Sequence, residues 1–270
     1  MITIRYRPPG VIPLELWDLV VNGRILWEIM PDAEFPGILS TTIKALRGGK
    51  GETRSEGPVP DVIAGFDSLY VAGGRSREPR IRCALQALEL PVRFSPTPDH
   101  PGRAQALRVL AGLGHEMGWV CDLGQVSFKI SSGRDRRQFR RDFQRLPVRA
   151  GRPEKSVREQ RRQLRTWLSQ SLRDFSTEAA APDGIFFALP SRLDDAGLPE
   201  GSSYIGLAED GALVGDVLEA AGLNPRRVLV VNDAELAALD GLAEPALQEC
   251  AKTLVLTLGF GPGAALAVRT

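Results

Sequence analysis

A chain of 270 residues, 43% hydrophobic and 25% charged, lies inside the globular range and can bury a sizeable core, which excludes fibrous and disordered classes. Its formal net charge of +1 hides a segregation: arginines crowd residues 134–173, whereas residues 182–249 are mostly acidic, so a whole-molecule charge argument for nucleic acid fails. No apolar run approaches the roughly 20 residues of a membrane helix, and residues 1–9 lack the apolar stretch of a leader. The expectation is a soluble, untargeted, cytoplasmic protein in which Cys83, Cys121 and Cys250, having no metal-ligand spacing, are reduced core thiols.

Residues 2–7 and 16–28 alternate apolar and polar positions around Asn22-Gly23, a dipeptide favoured in tight turns, and predict a β-hairpin. Residues 37–46 predict a helix closed by Gly48-Gly49. A short buried strand over 69–72 runs into Gly73-Gly74, and Ile81, Ala84, Leu85 and Leu88 give residues 77–88 helical spacing. A strand over 91–94 and a helix over 102–113 follow. Strands are then expected over 119–122, 126–130 and 138–148, the last heavily basic. A long helix over 154–175 carries Val157, Leu164, Trp167, Leu168 and Leu172 on one stripe and arginines on the other. The apolar runs 185–189, 228–231 and 254–258 read as strands covered on both faces, with helices over 216–221 and 234–242. This alternation argues for an α/β class.

Three glycine-bearing turns follow predicted strands: residues 122–129 with Gly124, residues 258–263 with Gly259, Gly261 and Gly263, and Gly73-Gly74. Glycine after a strand permits positive φ and lets backbone N–H groups approach a phosphate. One such turn is commonplace, and it is their conjunction that carries weight. Asn232-Asp233 stands at the end of a predicted buried strand and opens a helix. Spacing leaves two readings: a helix cap with a turn residue, which spacing alone favours, or a pair that holds a hydroxyl and removes its proton where ligands of open α/β sheets bind.

Taken together, these residues resemble the ROK family of repressors and sugar kinases, within the actin-like ATPase and hexokinase superfamily. Residues 122–129 resemble its first phosphate motif, D-x-G-G-T-x-x-K. Residues 185–197, with Leu189-Pro190-Ser191 and Asp194-Asp195-Ala196-Gly197, are similar to its G-I-A-x-P-G-x-V-D…G segment. Residues 231–238 resemble V-x-N-D-A-x-x-A-A, and 257–265 the second phosphate motif, L-G-T-G-x-G-G-G. Residues 67–76 resemble the adenosine motif and 101–110 the terminal helix, both of which follow the second phosphate motif in the family and precede it here. The resemblance therefore implies an α/β, ribonuclease H-like, actin-like ATPase fold of two lobes, circularly permuted, with residues 1–100 plus 250–270 as the second lobe and 101–249 as the first.

The implied activity is an ATP- and Mg²⁺-dependent kinase acting on a hydroxyl of a sugar-like small molecule. Asp122 would position Mg²⁺ through water; Gly124, Ser127 and Lys129 would form the first phosphate turn; Gly259, Gly261 and Gly263 would cradle the β- and γ-phosphates; Gly73 and Gly74 would pack near adenosine. Asn232, Pro190 and Ser191 would bind the acceptor and Asp233 would be the general base. Glu34 is the one candidate for the acidic residue of the family's G-E-x-G-H segment, which is not recognisable here. Val126 and Phe260 stand where the phosphate motifs have threonine, Gln125 stands for a glycine, and the family's zinc-binding cluster is missing. Loss of both threonines keeps open a pseudokinase or regulatory ligand-binding protein on the same fold. The arginine-rich stretch reads as a solvated helix face with pairs such as Glu154 and Arg158, so nucleic acid and membrane partners are not expected, while a homodimer is compatible. His100 and His115 read as loop residues, not catalysts.

Overall fold

The structure, a computed structural model, describes residues 1–14, 19–21, 24–25, 33–50, 52–53, 57–58, 63–143, 146, 157–200, 211–259 and 262–269. In chain order these form β1 (Ile2–Arg5), β2 (Val11–Leu14), β3 (Leu19–Val21), β4 (Arg24–Ile25), α1 (Phe35–Arg47), β5 (Glu52–Thr53), β6 (Gly57–Pro58), β7 (Ser68–Ala72), α2 (Pro79–Gln86), β8 (Val92–Phe94) and α3 (Arg103–Gly112). There follow β9 (Gly118–Leu123), β10 (Ser127–Ser131), β11 (Arg136–Arg140), α4 (Val157–Ser176), β12 (Gly184–Leu189), β13 (Arg192–Leu193) and β14 (Pro199–Glu200). The last elements are α5 (Leu213–Ala220), β15 (Arg227–Asn232), α6 (Asp233–Ala243), β16 (Lys252–Leu258) and β17 (Pro262–Val268). The chain divides into two compact units, residues 1–7 with 103–233 and residues 8–102 with 234–270. The expected division differed in giving residues 1–7 to the second lobe and residues 101–102 and 234–249 to the first.

In the first unit a six-stranded sheet has the order β1-β15-β12-β9-β10-β11. Strands β1, β15, β12 and β9 run parallel, while β10 and β11 are antiparallel additions. Every residue of β9 and β12 is buried, as the unbroken apolar runs require of strands covered on both faces. Trp119, Cys121 and Leu123 alternate onto the face that meets Leu164, Leu168, Leu172 and Phe175 of α4 and Leu213, Val217 and Leu218 of α5. Trp119 packs edge-on against Phe175 at 4.8 Å, and its Nε1–H donates to the Ala180 carbonyl at 3.0 Å, so the indole is both packed and satisfied.

The second unit holds a five-stranded sheet of order β2-β17-β16-β7-β8, in which β16, β7 and β8 are parallel and β17 and β2 antiparallel. One face packs Leu69, Val71, Leu254 and Leu256 on Phe35, Leu39, Ile43 and Leu46 of α1 and Ile81 and Leu85 of α2. The other sets Tyr70, Val255 and Ala265 against Ala234, Ala237 and Ala238 of α6, where alanines allow a close helix–sheet approach. The unit also carries the small sheet β4-β3-β5-β6.

Three expectations are corrected. Residues 2–5 do not join the amino-terminal hairpin: β1 pairs parallel with β15, Ile2 opposite Arg227 and Arg5 opposite Val230. Only β3 and β4 pair across residues 22–23, and that turn lies outside the described residues, as does Glu154. The basic strand ends at Arg140 instead of continuing to 148, because its partner β10 begins at Ser127 and the last rung is Arg141 N–H donating to the Val126 carbonyl. Cys83 is exposed on α2 and Cys250 half-buried, which leaves Cys121 as the one fully buried thiol of the three.

Candidate functional site

Register fixes the first cluster. With Ala188 opposite Asp122 and Leu189 opposite Asn232, the parallel strands β9, β12 and β15 end level. Asp122, Pro190-Ser191 and Asn232-Asp233 thus share one carboxyl edge of the first unit's sheet, the edge at which open α/β sheets bind ligands. Asn232 Nδ2 donates to the Ser191 carbonyl at 2.9 Å, tying the turn after β12 to the end of β15. Asp233 is the first residue of α6 and half-buried. The cap reading makes Asp233 the residue before the helix and Asn232 a turn residue, but Asp233 is the helix's first residue and Asn232 the last of β15, its amide N–H serving the turn after β12.

The β9–β10 turn holds residues 122–129, the glycine-bearing turn expected from the sequence to meet a phosphate. Lys129 sits directly across the ladder from Asp122, and its Nζ is 2.8 Å from Asp122 Oδ2, with side chains 16% and 8% exposed. This is a charge-assisted hydrogen bond in a nearly dry setting. Gly124 N–H donates to the Ser127 carbonyl at 2.9 Å, and a Cβ on Gly124 would stand 3.3 Å from that same oxygen. Ser127, which could have replaced a missing threonine, is buried, and its Oγ accepts from Gln138 Nε2 at 2.9 Å. Val126 is 45% exposed at the turn. Gln125 Oε1 is buried with no hydrogen-bond partner among the described residues. Beneath the turn, burial pushes the Cys121 thiol far up from its ordinary value, helped by the neighbouring Asp122 carboxylate, so Cys121 is an inert core thiol.

In the second unit, Thr257 lies opposite both Ala72 and Gly263, which brings Gly73, Gly259 and Gly263 to the end of β16. Gly73 has φ +88°, and a Cβ there would come within 2.5 Å of the Leu258 carbonyl oxygen, so only glycine fits. Its N–H donates to the Pro98 carbonyl and its carbonyl accepts from Ser76 N–H. Gly74 opens a single 3₁₀ turn, Gly74–Arg77, whose Arg77 pairs with Asp99 at 2.6 Å. Phe260 and Gly261 lie outside the described residues. Glu34 is exposed before α1, where its carbonyl accepts from Gly37 and Ile38 N–H groups.

Two polar features were not foreseen. Tyr70 is 1% exposed; burial pushes its hydroxyl well up, with Asp240 and Glu244 adding to the rise and a hydrogen bond with Ser95 opposing it. Asp240 Oδ2 accepts from Gly102 N–H at 2.6 Å. Gln138, the residue that holds Ser127, sits on a strand whose sequence advertises only its arginines. The register that places Gln138 opposite Lys129 was the missing signal. No group of three or more His, Cys, Asp or Glu side chains able to hold a metal is present among the described residues. No family model, curated protein or solved structure matches the chain.

Proposed function

We propose that this chain is an ATP-dependent kinase that transfers the γ-phosphoryl group to a hydroxyl of a sugar-like small molecule, on an actin-like, circularly permuted fold. The observation that carries the reading is the level carboxyl edge of β9, β12 and β15, with Asp122, Ser191, Asn232 and Asp233 together on it. Support for the fold comes from the two sheets, which follow one plan: β11-β10-β9-β12-β15 in the first unit and β2-β17-β16-β7-β8 in the second. Each has three antiparallel strands on one side of the plan and two parallel ones on the other, and the first sheet adds β1, parallel, beyond β15. In the second the plan begins at β16 and β17, late in the chain, and continues at β2, which is the order a circular permutation produces.

On this reading Asn232 orients the acceptor hydroxyl and Asp233 takes its proton as the oxygen attacks the γ-phosphorus and the bond to the β-phosphate oxygen breaks. Positioning and charge stabilisation supply most of what phosphoryl transfer needs. Gly259, Gly261 and Gly263 would present backbone N–H groups to phosphates, and Gly73-Gly74 would lie near adenosine. Mg²⁺ would draw charge from the phosphate oxygens. A single carboxylate, Asp122, suits Mg²⁺ held mostly by water and phosphate.

A second reading, a ligand-binding protein on this fold without phosphoryl transfer, is favoured by one local feature. The Asp122 carboxylate is engaged by Lys129, and the turn offers the apolar Val126 where the family has a hydroxyl.

Calorimetric titration with Mg²⁺-ATP, followed by transfer from γ-labelled ATP to a panel of sugars, separates them. The kinase reading expects micromolar binding weakened by Asp122→Asn, and transfer that Asp233→Asn lowers by about 10²–10⁴-fold. Binding without transfer to any acceptor supports the second reading, and absence of ATP binding sinks the first.

A further inference from the structure

Strand β11 is the last strand of the first unit's sheet, and among the described residues nothing pairs with its outer edge. The ladder tells which of its backbone groups face outward. Arg141 N–H donates to the Val126 carbonyl and Ser132 N–H to the Asp135 carbonyl, both at 2.9 Å. Antiparallel ladders alternate bonded and non-bonded pairs. With Phe128 opposite Phe139 and Ile130 opposite Arg137, the bonded pairs are Val126/Arg141, Phe128/Phe139, Ile130/Arg137 and Ser132/Asp135. The N–H and C=O groups of Arg136, Gln138 and Arg140 therefore point away from β10.

The side chains of the same three residues form the exposed face of the strand. Arg137, on the other face, pairs with Glu178 at 2.5 Å and lies over the Phe139 ring. Arg136 and Arg140 make no ion pair or hydrogen bond through their guanidinium groups among the described residues. Arg134 is exposed in the preceding turn, and Arg103 reaches in from α3 to donate to the Ser132 carbonyl at 2.5 Å. The Arg103 guanidinium is held below its ordinary pKa by burial and then by the charge of Arg136. The nearby Asp135 carboxylate is tied back to Ser132 Oγ at 3.1 Å.

We infer that this edge docks an acidic polypeptide segment in extended conformation, which adds as a strand beside β11. Such a segment meets both features of the edge at once: its backbone pairs with the outward groups of Arg136, Gln138 and Arg140, and its carboxylates meet arginines that stand roughly 13 Å apart along the strand. Phe143, 47% exposed three residues beyond Arg140, offers an apolar contact at one end. A nucleic acid would use the guanidinium groups and leave the outward backbone groups without partners, so the geometry favours the peptide.

The test is fluorescence polarisation of a labelled peptide of three Glu-Val repeats against the full chain, with a Lys-Val peptide and oligo-dT as comparators. Binding of the acidic peptide alone is expected, weakening with salt and falling by at least about tenfold in Arg136→Glu/Arg140→Glu. Gln138→Pro removes an outward N–H that the sheet does not use, and with it the hydrogen bond to Ser127 Oγ; it is expected to weaken binding beyond Gln138→Ala, which loses that same bond and keeps the N–H. Where Gln138→Pro lowers the melt, amide exchange of Arg136, Gln138 and Arg140 makes the same distinction, slowing on peptide addition under strand pairing. No peptide binding overturns the inference and leaves the arginines as guards against edge pairing. Binding indifferent to Gln138→Pro with unchanged amide exchange, or displacement by less oligo-dT than peptide, overturns it equally.

Discussion

Asp122 and Lys129 are nearly buried partners 2.8 Å apart, and what happens when one is removed follows from the cost of an isolated charge. Lys129→Met leaves the Asp122 carboxylate without its counter-ion in a low-dielectric turn, a loss expected to be roughly 3–5 kcal/mol. The double variant Asp122→Ala/Lys129→Met leaves no charge behind and is expected to be more stable than Lys129→Met alone. Urea unfolding of the four proteins in the cycle measures the coupling; additive effects would show that the two charges do not depend on each other. At this scale the sequence was informative where a polar residue ends an apolar run, since Asp122, Asn232 and Asp233 announce themselves that way. Gly73 was legible for the same reason, as a glycine where the chain must turn at positive φ. The Asp122–Lys129 pair was not, because it depends on a hairpin register that only the folded ladder fixes.

Elements with strong periodicity were legible and those defined by distant partners were not. Helix α4 buries Leu164, Leu168 and Leu172 as the expected stripe required, with Trp167 half-buried beside them and Phe175 added, whereas Val157, expected on that stripe, is 48% exposed in the first turn, where the helix has not yet reached the sheet's core cluster. Leu168→Ala is expected to cost about 2–5 kcal/mol through lost burial and the remaining cavity. Arg158→Ala, on the exposed face of the same helix, is expected to shift stability by no more than about 0.5 kcal/mol. Equal effects in urea titrations would mean that the helix packs on a different face. Strand β17 escaped notice because Ala264, Ala265 and Ala267 favour helix locally; pairing with both β16 and β2 decides otherwise. Strand β1 alternates well enough to be seen as a strand, but alternation says nothing about which strand it joins, and its parallel partner β15 lies more than 200 residues away.

Across the whole molecule, among the described residues, burial holds the Cys121 thiol and the half-buried Tyr6 hydroxyl protonated in the first unit and the Tyr70 hydroxyl in the second; Cys121 and Tyr70 are the fully buried two. Both have folded-state values above their unfolded ones. Their stabilising effect is therefore fully present below the unfolded pKa and declines as pH rises beyond it, since the unfolded chain then releases protons that the folded chain keeps. The unfolded values, about 8.5 for cysteine and about 10 for tyrosine, set the order: the Cys121 contribution begins to fall first and that of Tyr70 about 1.5 pH units later. Between pH 7.5 and 9.5 the thiol alone should cost the first unit about 1–1.5 kcal/mol. Urea unfolding followed by backbone circular dichroism is expected to show that loss in the native chain and a smaller one in Cys121→Val, while Tyr70→Phe, offset at every pH by its lost hydrogen bond, departs from the native pH dependence only above about pH 10. A Cys121→Val protein that loses as much stability as the native chain over that interval would place the alkaline sensitivity outside the β9 core.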